Sequence, residues 1–77
     1  MAETAAEIAR RYPKIVVWSD EDGCFLGRCP DLFLGGCHGG DPRNVLSEIT
    51  DIAEDVVGDH LAEGRPLPPI TNADQAA

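Results

Sequence analysis

Three cysteines and two histidines are the side chains best suited to metal or nucleophile chemistry, and four of these five fall between residues 24 and 38. Cys24, Cys29, Cys37 and His38 read as C-x4-C-x7-C-H. Structural zinc is held by converging thiolates and imidazoles, usually supplied by paired C-x2-C knuckles. That knuckle is missing, and a strand would send Cys24 and Cys29 to opposite faces. Small buried thiols are the simpler reading, so no metal and no cofactor is expected. Cys37 and His38 make a poor nucleophile–base pair: strand neighbours point opposite ways, and no third group orients the imidazole. His60 falls on an apolar helical stripe, where a satisfied, partly buried histidine is the common case.

Carboxylates holding magnesium would have to come from Asp20, Glu21, Asp22, Asp31 or Asp41. All five sit where a turn or a helix cap already explains an acid. Gly35, Gly36, Gly39 and Gly40 form neither G-x-G-x-x-G nor a phosphate-binding loop, and no Lys-Ser/Thr follows. A residual magnesium-dependent nuclease is the enzymatic alternative; the leading expectation is that the chain is not an enzyme.

Charge points toward protein partners. Fourteen acids against six bases give a net charge of −8 at neutral pH and a pI near 4.4. Nucleic-acid binding depends on neutralising phosphates with Lys and Arg, so direct contact with nucleic acid is not expected. A field of this sign attracts basic proteins, although it also simply keeps a small domain soluble. No apolar run approaches the roughly 18 residues of a membrane span, and residues 1–11 lack the apolar segment of a secretion signal. With free thiols, a reducing cytoplasm is the expected compartment.

Seventy-seven residues make a single domain whose own core is marginal, since about 60% of the unfolded surface is buried at this size. Self-association is the expected supplement. Thr4-Ala5-Ala6-Glu7 spells a capping box, so a short helix starts there and ends before Pro13. Lys14 to Ser19 is the strongest strand signal, apolar on both faces, and both faces should therefore be covered. The long helix can cover one; the other falls to the N-terminal helix or to a second subunit. Asp20-Glu21-Asp22-Gly23 makes an acidic turn ending on a glycine that can take positive φ. A second strand follows from Cys24 and ends at Pro30. Residues 34–39 supply a third, weak by propensity because of their glycines, which suggest a bulge or a close backbone approach.

Asp41 is a good N-cap and Pro42 suits the first helical position. Val45, Leu46, Ile49, Ile52, Ala53, Val56, Val57, His60 and Leu61 then keep helical spacing until Gly64 stops the helix. That is about 33 Å of helix, longer than a small sheet needs, so its far end should find company elsewhere. Its other face carries Glu48, Asp51, Glu54, Asp55, Asp59 and Glu63 against Arg43 alone. Such a face is either merely solvated or a docking surface for something positive. Residues 70–72 have room for a short edge strand, and 70–77 read as a loose tail.

The order of hairpin, Cys-Pro-Asp-Leu, Gly-Cys-x-Gly-Gly-Asp and long amphipathic helix resembles the HicB antitoxin family. The matching residues are Val16, Val17 and Trp18; Gly23, Cys24 and Phe25; Pro30, Asp31 and Leu32; Gly36 and Cys37; Gly40 and Asp41. The resemblance spans residues 14–69. In place of the family's Pro-Asp-Leu-Pro-Gly stands Pro-Asp-Leu-Phe-Leu-Gly-Gly, one residue longer. The family implies a degraded ribonuclease H-like fold, dimers or tetramers, and a small basic toxin partner, HicA, which cleaves messenger RNA. HicB neutralises that toxin by covering its catalytic histidine. Many family members also carry a DNA-binding domain, which residues 70–77 are too few to form.

The expectation is thus an α+β domain over residues 1–77 with its core in 14–69. A three- to four-stranded, mainly antiparallel sheet would pack on one long helix after a short N-terminal one. Asp20, Glu21, Asp22, Glu48, Asp51 and Asp55 are the candidate partner contacts. Gly23, Pro30, Gly36, Gly40, Asp41, Pro42 and Gly64 are the structural turns and caps. A stand-alone oligomerising module with no toxin remains the non-enzymatic alternative.

Overall fold

The computed structural model describes residues 3–71. It contains a short helix α1 (Ala5–Ala9), strands β1 (Ile15–Ser19), β2 (Cys24–Arg28) and β3 (Gly36–Gly39), and a long helix α2 (Pro42–Glu63). The strands form an antiparallel sheet in the order β1-β2-β3, with Val17 opposite Leu26 and Leu26 opposite His38. The long helix packs on one face of it.

Local chemistry sets each boundary. Thr4 accepts from the Glu7 amide at 3.1 Å while Glu7 accepts from the Thr4 amide at 3.1 Å, so the capping box is closed in both directions. The β1–β2 turn closes where Gly23, at φ 65°, donates to the Ser19 carbonyl at 2.8 Å. Asp41 accepts from the Arg43 amide at 2.8 Å with Pro42 in the first turn. Gly64, at φ 67°, ends α2, and Arg65 donates to the His60 carbonyl at 2.9 Å.

The core is one cluster, comprising Ile8, Ala9, Tyr12, Cys29, Leu32, Ile49, Ala53 and Val57. It therefore reaches N-terminal to the 14–69 stretch. The reason is that α1 packs on α2 rather than on the sheet, with Ala5 beside Gly58. The overhang of α2 finds its company there. The second face of the sheet is left to solvent: Val17 is 40% exposed and Leu34, leading into β3, fully so. Trp18 lies on the helix side but is 52% exposed, and is held edge-on by Phe25 with centroids 5.0 Å apart. Leu46 and Leu61, expected within the buried stripe of α2, are also exposed.

The C-terminal segment is described as far as Thr71. Ile70 and Thr71 lie in no strand, and Asn72 falls outside the described residues, so the sheet described has three strands. Nor does the chain hang loose as far as Thr71. The Thr71 amide and hydroxyl both donate to Asp31, at 3.1 and 2.6 Å. Tyr12 donates to the Pro68 carbonyl at 2.5 Å, and Leu67 packs on the core. Residues 66–71 act as a strap across the α1 end of the domain.

Candidate functional site

All three cysteines are free thiols, Cys29 buried and Cys24 and Cys37 partly exposed. Cys29 is fully buried, and desolvation pushes its thiol up from the ordinary value, outweighing the opposing effect of nearby Lys14. Desolvation likewise raises the Cys37 thiol, with the Glu48 carboxylate adding to the shift. Cys37 donates to the Val45 carbonyl at 3.5 Å. Both therefore behave as packed thiols. His60 Nδ1 lies 3.0 Å from the Val56 carbonyl, a partnered helix histidine. Among the described residues no three His, Cys, Asp or Glu side chains gather as a metal-ligand group.

The six candidate partner contacts form two separate groups. Asp20, Glu21 and Asp22 are exposed on the β1–β2 turn. Two of them also build that turn: Trp18 Nε1 donates to Asp20 at 2.7 Å, and Ser19 Oγ donates to Asp22 at 3.0 Å while accepting from the Asp22 amide at 3.2 Å. Glu21 alone of the three has no such bond among those described. Glu48, Asp51 and Asp55 are exposed on α2, where steps of three and four residues keep them within about 60° of arc. Glu48 sits at the edge of this group, near enough to Cys37 to perturb it.

No protein-family model, curated protein or solved structure matches this chain.

The open side of the sheet was not among the candidate site residues, yet it carries apolar surface with relief. A Cβ built on Gly27 would point at Val45 and Ile49, toward α2, so Leu26 and Arg28 on either side point away from the helix. A groove of about 290 Å³ runs along them, walled by Leu34, Gly36 and His38. A second hollow of about 340 Å³ adjoins it, lined by Asp22, Cys24, Leu26 and His38. Period-two alternation could have exposed this face, since β1 is apolar on both sides and only one can meet α2.

The structural residues divide by cause. Gly23 and Gly64 need their positive φ. Gly36 is required by space: a Cβ there would meet the Gly27 carbonyl oxygen at 2.3 Å. Pro30 opens the turn in which Leu32 and Phe33 donate to the Cys29 carbonyl at 3.0 and 3.2 Å. Gly40 lies in the bend between β3 and the Asp41 cap, with no left-handed φ and nothing within 4 Å of its Cβ position, so neither backbone conformation nor space demands a glycine there. Asp31, which holds Thr71, and Tyr12, which holds Pro68, were missed as anchors because their partners lie 40 and 56 residues away.

Proposed function

We propose that this chain is a HicB-like antitoxin domain, acting in the cytoplasm by occlusion of a small basic toxin rather than by catalysis. The observation that carries the reading is the unrelieved acidity of the exterior. The chain is at −8, and Glu48, Asp51 and Asp55 share one exposed side of α2 with no ion pair among the described residues. A cationic nuclease of HicA type presents the complementary surface, and charge on both sides favours fast encounter and orientation. The β-β-β-α order and the turn residues shared with the family support the same reading. Among the described residues no helix is long and apolar enough to cross a membrane.

Co-expression with a small basic HicA-type protein tests this. The two proteins are expected to co-purify at low salt, to separate as salt rises, and together to relieve the growth arrest caused by the toxin alone. Reversing the helix charges with Asp51→Lys and Asp55→Lys should weaken capture by about tenfold or more, since opposed like charges cost several kcal/mol. Capture unaffected by both salt and the double reversal would remove the electrostatic basis of the proposal.

A further inference from the structure

One face of the sheet is uncovered among the described residues, and Asp22 stands at one end of it, beside Cys24 and Leu26. Ile15 and Val17 of β1, Leu26 and Arg28 of β2 and His38 of β3 share the side turned away from α2, as the register and the direction of Gly27 require. No strand residue on this side is a carboxylate. Elsewhere two copies of a −8 chain would meet acid against acid; here they would not.

The charges at the two ends of this face are opposite. Arg28 lies at the end of β2, is exposed, and makes no ion pair among the described residues. At the start of β2 stand Asp20, Glu21 and Asp22, about 14 Å away along the strand at roughly 3.4 Å per residue. A face with a cation at one end and acids at the other complements itself if a second copy lies antiparallel upon it. A two-fold axis then delivers Arg28 of each copy to the acidic turn of the other, making two equivalent charge pairs. Parallel stacking would instead set Arg28 against Arg28. Between the charged ends, the groove beside Leu34 gives the partner's fully exposed Leu34 an apolar place to enter.

We propose that the helix-free face of the sheet is a homodimer interface, in which two copies stack antiparallel with Arg28 of each facing the Asp20-Glu21-Asp22 turn of the other. The occupant is a second copy because the face supplies both halves of its own charge complement. The dimer stands whether or not a toxin exists. It also sharpens the functional reading, for it assigns the turn acids to self-association and leaves Glu48, Asp51 and Asp55 for a basic partner.

Sedimentation of the full chain under reducing conditions gives the test. Wild type should dimerise reversibly by about 100 µM chain, with Kd rising with salt. Leu34→Glu, a change at a fully exposed side chain, should raise Kd about tenfold or more, whereas Leu61→Glu at the far end of α2 should not. Arg28→Glu, and separately Glu21→Lys with Asp22→Lys, which turns the loop from −3 to +1, should each be monomeric alone, because every cross-contact then opposes like charges. An equimolar mixture of these two variants should regain the dimer, since both contacts become opposite again. Circular dichroism of each variant confirms folding. A wild-type chain that stays monomeric, a Leu34→Glu dimer as tight as wild type, or a mixture that fails to associate overturns the proposal. Capture of the toxin by monomeric Leu34→Glu is scored separately, so loss of the dimer and loss of the antitoxin role are distinguishable.

Discussion

The two faces of the sheet are built from the same three strands by alternation, and they have opposite fates. On one, Gly27 and Cys29 are buried and α2 lies so close that a Cβ on Gly27 would meet Val45 at 2.7 Å. On the other, Val17 is 40% exposed, Leu26 is half-buried and Leu34 stands in water. Hydrophobicity does not separate them, because Ile15 and Val17 are as apolar as Val16 and Trp18. What separates them is supply: one long helix covers one face, and α1 is drawn onto that helix instead of the sheet. Among the described residues the second face is therefore left uncovered.

The comparison is broken most severely in the covered face. Ile49 is fully buried between sheet and helix, so Ile49→Ala should cost about 2–5 kcal/mol in urea unfolding. Val17→Thr, on the open face and measured at a dilution where copies are apart, should stay within about 0.5 kcal/mol. Comparable losses at the two sites would mean that the open face is covered within one chain.

A glycine pair sharpens the same contrast. Gly27→Ala places a methyl 2.7 Å from Val45 Cγ1 and 3.0 Å from Cys37 Sγ, and overpacking of this kind costs about 1–3 kcal/mol. Gly40→Ala meets nothing and needs no left-handed backbone. It should be neutral or stabilise by about 0.4–1 kcal/mol, through the narrower unfolded ensemble. Thermal midpoints of the two variants, moving in opposite directions, are the check.

Local signals made most of this fold legible. Thr4 with Glu7, Gly23, Asp41 with Pro42, and Gly64 each announced a boundary through chemistry acting over a few residues, and each boundary formed. The third strand formed despite its glycines, because Gly36 and Gly39 let β3 lie close to β2 and to Val45. Long-range choices were not legible. That α1 would lie on α2, that Asp31 would hold Thr71, and that Tyr12 would hold Pro68 depend on distances no local pattern encodes. The acid groups were readable as residues, but not their division: Asp20 and Asp22 serve their own turn, while Glu48 leans toward Cys37. That one face would need a cover other than α2 was legible in β1, but which residues form it was not, because alternation says which residues share a side, not which side a helix will take.

The smallest expected effect lies at the N-terminal cap of α1. Hydrogen bonds from the Thr4 amide and hydroxyl hold the exposed Glu7 carboxyl below its usual range. A carboxyl whose folded pKa is depressed binds fewer protons folded than unfolded, so its contribution is present above the unfolded value, near 4.5. That contribution fades as pH falls through the lower folded value. Thr4→Ala removes the cap and, with it, one of the bonds that depress Glu7. It should cost about 0.5–1 kcal/mol at neutral pH, the low end for an N-cap on an exposed five-residue helix. The gap between wild-type and variant melting temperatures should then narrow as pH is lowered from about 6 toward 3. Because α1 packs chiefly on α2, the open face should keep its behaviour in this variant, including any self-association it supports. A dimer lost in Thr4→Ala would place α1 in the contact and leave the sheet without its second partner.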